Sequence, residues 1–128
     1  MKLRKPASII LVLALTLPFI IAACGESVPE NLTFELQIKD QTLVNSEGLL
    51  KATQDDIVSI VVNSDEHVSF HLHGYDIEEI AEPGEPATLR FTANATGSFP
   101  FTIHLVEADH DDDEEDDVEL GRLEIQPR

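Results

Sequence analysis

From Thr33 to Lys39 apolar and polar side chains alternate without a break. Phe34, Leu36 and Ile38 fall on one side, and Thr33, Glu35, Gln37 and Lys39 on the other. A period of two is what a strand with one buried face requires. The turn-formers Asn45, Ser46 and Gly48 follow, then Leu49-Leu50. After Asp55-Asp56 comes Ile57 to Val62, a β-branched run that predicts a strand buried on both faces. Asn63 to Glu66 predicts a turn. Alternation then resumes from His67 to His73, with Val68, Phe70 and Leu72 opposite His67, Ser69, His71 and His73.

Tyr75 to Ile80 reads as a connection anchored by Ile77 and Ile80, and Pro83-Gly84-Glu85-Pro86 as a turn. Ala87 to Ala93 predicts a strand with Leu89 and Phe91 inward. Phe99 to Leu105 predicts another, with Phe99, Phe101, Ile103 and Leu105 opposite Ser98, Pro100, Thr102 and His104. Pro100 has no N–H to give to a ladder, so a free edge or a bulge is expected there. Arg122 to Ile125 is the last strand, with Leu123 and Ile125 inward. No segment repeats with a helical period. Short strands separated by Gly, Pro and Asn turns predict an all-β antiparallel sandwich or barrel.

The first 23 residues do not fit that pattern. Lys2, Arg4 and Lys5 precede an apolar run from Ala7 to Ala22, and small residues lead to Cys24. This is the layout of a secretory signal. Ile21-Ala22-Ala23-Cys24 resembles the lipobox of bacterial lipoproteins, which implies lipidation of Cys24, such as palmitate, and anchoring to a bilayer on the extracytoplasmic face. Stable anchoring takes more than one acyl chain. Three regions are therefore expected: a signal peptide over 1–23, the lipidated cysteine and a tether over 24–31, and one domain over 32–128. Cys24 is the only cysteine, so an internal disulfide is excluded.

Charge narrows the partners. Beyond residue 23 five basic side chains face 25 acidic ones, a formal charge of −20. Such a surface repels nucleic acid and attracts cations. Ten of the acids, with His110, lie in Glu107 to Glu119. A block this dense repels itself and is expected to form a solvated loop that gathers hard cations loosely. It lacks the spaced ligands and glycine of a defined calcium loop.

The candidate chemistry is in the histidines. His71 and His73 share one face of a strand, and His104 ends a later one. Neutral imidazole suits copper, zinc, nickel and iron. His71, His73 and His104 are therefore expected to ligate copper(II), with zinc as the alternative; His67 and His110 are outer candidates. Tyr75 and Asp76 are read as supports of the turn. The competing reading is that these histidines are solvated, or simply paired with the surrounding acids. No Gly-x-Ser-x-Gly elbow or usable cysteine is present, and no organic substrate is indicated.

Several segments together resemble the cupredoxins, the small Greek-key sandwiches that hold blue copper. They are Thr53 to Val58 with Val62 to Asp65; Pro83-Gly84-Glu85 with Leu89-Arg90-Phe91; Gly97 to Phe101; and Gly121 to Ile125. The resemblance implies a cupredoxin-like Greek-key β-sandwich. It also places the first copper histidine on His71, the copper cysteine on Ile103 and the axial methionine on or near Glu119. A blue centre needs a thiolate, so an ordinary blue-copper electron carrier is not expected, and a redox site would have to be of a non-blue kind. His71-Leu72-His73-Gly74 and Gly97 to His104 are also similar to elements of the first domain of multicopper oxidases, with Thr102 and His104 on two of its histidine positions. Copper–zinc superoxide dismutase shares a His-x-His strand, but its cysteine pair and zinc ligands have no counterpart here. The expectation is a membrane-anchored binding module for copper or another divalent metal, not an enzyme, serving capture, buffering or delivery to a membrane protein. The alternative is a metal-free interaction module of the same fold.

Overall fold

The computed structural model describes residues 28–106 and 117–128. The expected signal peptide, Cys24, His110 and most of the acidic loop lie outside them. Nine strands are present and no helix among the described residues: β1 Asn31–Lys39, β2 Thr42–Leu43, β3 Leu49–Thr53, β4 Ile57–Ser64, β5 Val68–Leu72, β6 Ile77–Ala81, β7 Ala87–Thr92, β8 Gly97–Leu105 and β9 Val118–Gln126.

They form two sheets, in the orders β2-β1-β4-β7 and β3-β9-β8-β5-β6. The chain crosses repeatedly between the sheets, and those crossings bring β1 alongside β4 and β3 alongside β9 in parallel, while the other pairs are antiparallel. Alternation within each strand fills the space between the layers. Leu36, Ile38, Val58, Ile60, Val62 and Leu89 come from one sheet, and Val68, Phe70, Leu72, Phe101, Ile103 and Leu123 from the other; all are buried. Phe70 and Phe101 stack at 5.4 Å between ring centroids.

Four local expectations change. Tyr75 to Ile80 is not a plain connection: Ile77–Ala81 is edge strand β6, and Ile80 is 52 % exposed rather than an anchor. Its side chain lies on the sheet's outer face, beside Ser69 of β5. The run in β4 is fully buried on one face only, with Ile57 and Val61 half-buried on the other. Leu105 stands at the end of β8 and is partly exposed. Pro100 is not on an edge strand, because β8 lies between β9 and β5. A register shift does fall between Phe101 and Thr102, opposite Gly121 and Glu119. Pro100 also sits one residue beyond the β5 ladder, where its carbonyl accepts from the His73 N–H at 3.0 Å.

The segment leading into β1 and the C-terminal Arg128 are tied at Asp56, which is 3 % exposed. Its carboxylate accepts from the N–H groups of Glu30 (2.9 Å) and Thr53 (2.8 Å) and from the Arg128 guanidinium. Arg128 Nε also donates to the Gln54 carbonyl at 2.7 Å. Burial pushes the Asp56 carboxyl upward, but the two backbone donors and Arg128 outweigh it and hold the group below its ordinary value.

Candidate metal centre

Because Val68, Phe70 and Leu72 fill the core, the strand period turns Ser69 and His71 to the outer face of the second sheet. The register sets their neighbours. His71 lies between Glu78 of β6 and Thr102 of β8, and Ser69 between Ile80 and His104. Thr102 in turn faces Glu119 of β9. One sheet face thus carries imidazoles, hydroxyls and carboxylates side by side.

His73 stands just past β5, in the turn to β6. Its ring lies against that of His71, with centroids 4.1 Å apart and planes at 42°. His73 Nε2 is 2.9 Å from Thr102 Oγ1, a hydrogen bond whose direction depends on the tautomer. The turn itself is braced. Gly74 has a φ of 83°, and a Cβ there would meet the Phe99 ring at 2.6 Å, so only glycine fits. Tyr75 packs on Phe91 and Phe99, and its hydroxyl both donates to the Ala95 carbonyl and accepts from the Ala95 N–H, each at 3.2 Å. Asp76 also has positive φ, 52°, and its carboxylate is 3.9 Å from His71 Nε2.

His104 has carboxylates on both sides of a side chain that is 17 % exposed. Its Nε2 is 3.8 Å from Glu78 Oε1 and its Nδ1 is 3.7 Å from Asp117 Oδ1. Ser69 Oγ donates to the same Glu78 oxygen. His67 lies apart, 3.7 Å from Glu82. The structure therefore places His71, His73 and His104 on one face, as a contacting pair and a carboxylate-flanked third ring. Among the described residues no three His, Cys, Asp or Glu side chains are grouped tightly enough to hold an ion as they stand.

Two positions from the cupredoxin resemblance point away from one another. Ile103 pairs with Phe70 and is fully buried, whereas His71 is on the opposite face of the same sheet. Glu119 forms an ion pair with Arg122 at 3.3 Å. Glu78 does not stand out in the sequence, because its segment lacks alternation and reads as a connection. The signal that could have found it is an acid two residues beyond Asp76, within hairpin reach of His71.

No family model matches the chain, and no curated protein matches it. Solved structures do. A heme-copper terminal oxidase dimer, determined by cryo-electron microscopy, superposes with a TM-score of 0.61 at 16 % identity, over 76 % of this chain and 65 % of that one. The Blue Copper Oxidase from Nitrosomonas europaea gives 0.54 at 21 % identity, over 77 % of this chain and 39 % of that one. A copper binding protein solved by NMR in the apo form gives 0.54 at 10 % identity, over 79 % and 93 %. The chain thus spans 65 % and 39 % of the two oxidase chains. Likeness at these identities speaks for architecture, and with the two packed sheets it makes the fold a cupredoxin-like β-sandwich.

Proposed function

We propose that this chain is a lipid-anchored, extracytoplasmic cupredoxin-like module that binds copper(II) or another divalent cation through His71, His73 and His104, for capture, buffering or delivery. The observation that carries this reading is the His71–His73 contact at 4.1 Å on the same sheet face as His104. The solved structures of similar fold, described as heme-copper, blue copper and copper binding, support the choice of metal.

The donor chemistry fits a divalent ion. The only sulfur-bearing residues in the chain are Met1 and Cys24, so residues 28–128 offer nitrogen and oxygen alone. Such a set favours copper(II) or zinc, while copper(I) prefers thiolate or thioether. The formal charge of −20 beyond residue 23 raises the local concentration of any cation. The chain acts in this reading as a binding module rather than an enzyme, with the bilayer as partner through lipidated Cys24 and a membrane protein as recipient.

A metal-free interaction module is the second reading, favoured by the lack of a ready three-donor group among the described residues. Titration of the full chain in mild detergent with copper(II) and with zinc, followed by thermal melting, separates the two. A real site raises the melting temperature, because a ligand of the folded state stabilises it. Stoichiometric binding lost in His71→Ala and His104→Ala, but kept when acids 111–116 become serine, supports the histidine site. Binding lost only with the acids means a diffuse cation sponge, and no binding means the metal-free module.

A further inference from the structure

We infer that Glu78 is a direct oxygen ligand of the divalent cation, completing the site between His71 and His104 with Asp117 as the acceptor that orients His104; this rests on the metal-binding reading above. Glu78 is the residue that the topology places next to both rings. Its Cα pairs with that of His71 across the β5–β6 ladder, while its carboxylate reaches His104 on the far side of β5.

The distance is informative. At 3.8 Å, Glu78 Oε1 and His104 Nε2 are too far apart for a hydrogen bond. Two atoms that each bind one ion at about 2.0–2.1 Å lie about 2.9–3.4 Å apart at square or tetrahedral angles, so a shared ion would draw this pair together by about 0.4–0.9 Å. The other ring nitrogen, Nδ1, faces Asp117 Oδ1 at 3.7 Å. A ligating imidazole commonly gives its second N–H to a carboxylate, which fixes the tautomer and raises its basicity. Ser69 Oγ supplies the equivalent support to Glu78, by donating to the oxygen nearest His104. Asp76 is the weaker oxygen donor: its side chain is 96 % exposed and lies in the turn, without a supporting donor of this kind. The ligand class is accordingly a borderline divalent ion bound by mixed nitrogen and oxygen, copper(II) before zinc in affinity.

Glu78→Gln is the discriminating variant. It removes the charge but keeps an acceptor for Ser69, so the strand pairing is retained. Glu79→Gln is its control, since Glu79 pairs with Phe70 and lies on the other face of the same strand. Copper(II) affinity is measured by competition titration of the full chain in detergent, together with electron paramagnetic resonance of the copper(II)-loaded chain. Glu78→Gln should weaken copper(II) by about 10–100-fold and change the parallel g and copper hyperfine values. Glu79→Gln should leave both at wild-type values. If Glu78→Gln binds within about twofold with an unchanged spectrum, or if Glu79→Gln weakens binding equally, Glu78 is not a ligand and the histidine reading still stands. If the wild-type chain binds no copper(II), both inferences fall together.

Discussion

Asp56 offers the sharpest test of how the sandwich is closed. Replacing it with Ala removes one carboxylate that serves three donors: the N–H groups of Glu30 and Thr53 and the Arg128 guanidinium. Hydrogen bonds to a charged acceptor are worth about 1.5–3 kcal/mol each. Removing one partner of a buried pair costs about 3–5 kcal/mol. Arg128 is 16 % exposed, so water reaches the guanidinium and partly replaces what is lost. The expected loss for Asp56→Ala is therefore ~2–4 kcal/mol, or roughly 10–25 °C in melting temperature.

Acid adds a signature that a packing defect would not have. The Asp56 carboxyl is held below its ordinary value of 3.8 in the folded chain. A lowered folded pKa means that the stabilisation is complete above the unfolded value and disappears as pH falls through the folded one. Urea unfolding of wild type and Asp56→Asn at pH 7 should show a gap of ~1–3 kcal/mol, closing as the pH drops below 3.8. Other acids titrate in both proteins, so the difference isolates Asp56. A gap under about 0.5 kcal/mol at pH 7, or one indifferent to acid, would mean that the ionised Asp56 carboxylate does not stabilise the fold.

Other positions carry further expectations. Phe101→Ala empties the centre of the core beside Phe70 and should cost ~3–5 kcal/mol in urea unfolding. Gly121→Ala would put a Cβ 2.0 Å from the Gly48 carbonyl oxygen, a backbone clash where β3 meets β9, with a loss of at least ~1–3 kcal/mol. Thr102→Val removes the partner of His73 Nε2; a loss of ~1 kcal/mol by thermal melting is expected, with copper(II) affinity lowered by about tenfold in titration.

The alternation of Phe34 to Ile38 and of Val68 to Leu72 marks strands and their buried faces in the sequence itself, because a strand's period of two depends on nothing beyond the neighbouring residues. The all-β class follows from those local patterns, whereas His73 lies past the end of β5, so its contact with His71 is set by the turn and by the bonds to Pro100 and Thr102 rather than by the strand period. Register is different. Which residue of β8 stands opposite His71, and which acid of β6 reaches His104, depends on strand pairing across the sheet and not on spacing along the chain. Short edge strands such as β6 carry too little alternation to announce themselves, so the sequence around Glu78 reads as a connection. The parallel pairs β1–β4 and β3–β9 likewise arise from where the chain crosses between sheets. Asp56 gives the same lesson: its acidic neighbour Asp55 is of the same type, and only the arrival of Glu30 and Arg128 from distant parts of the chain, beside the local Thr53 N–H, makes one of the two a buried lock.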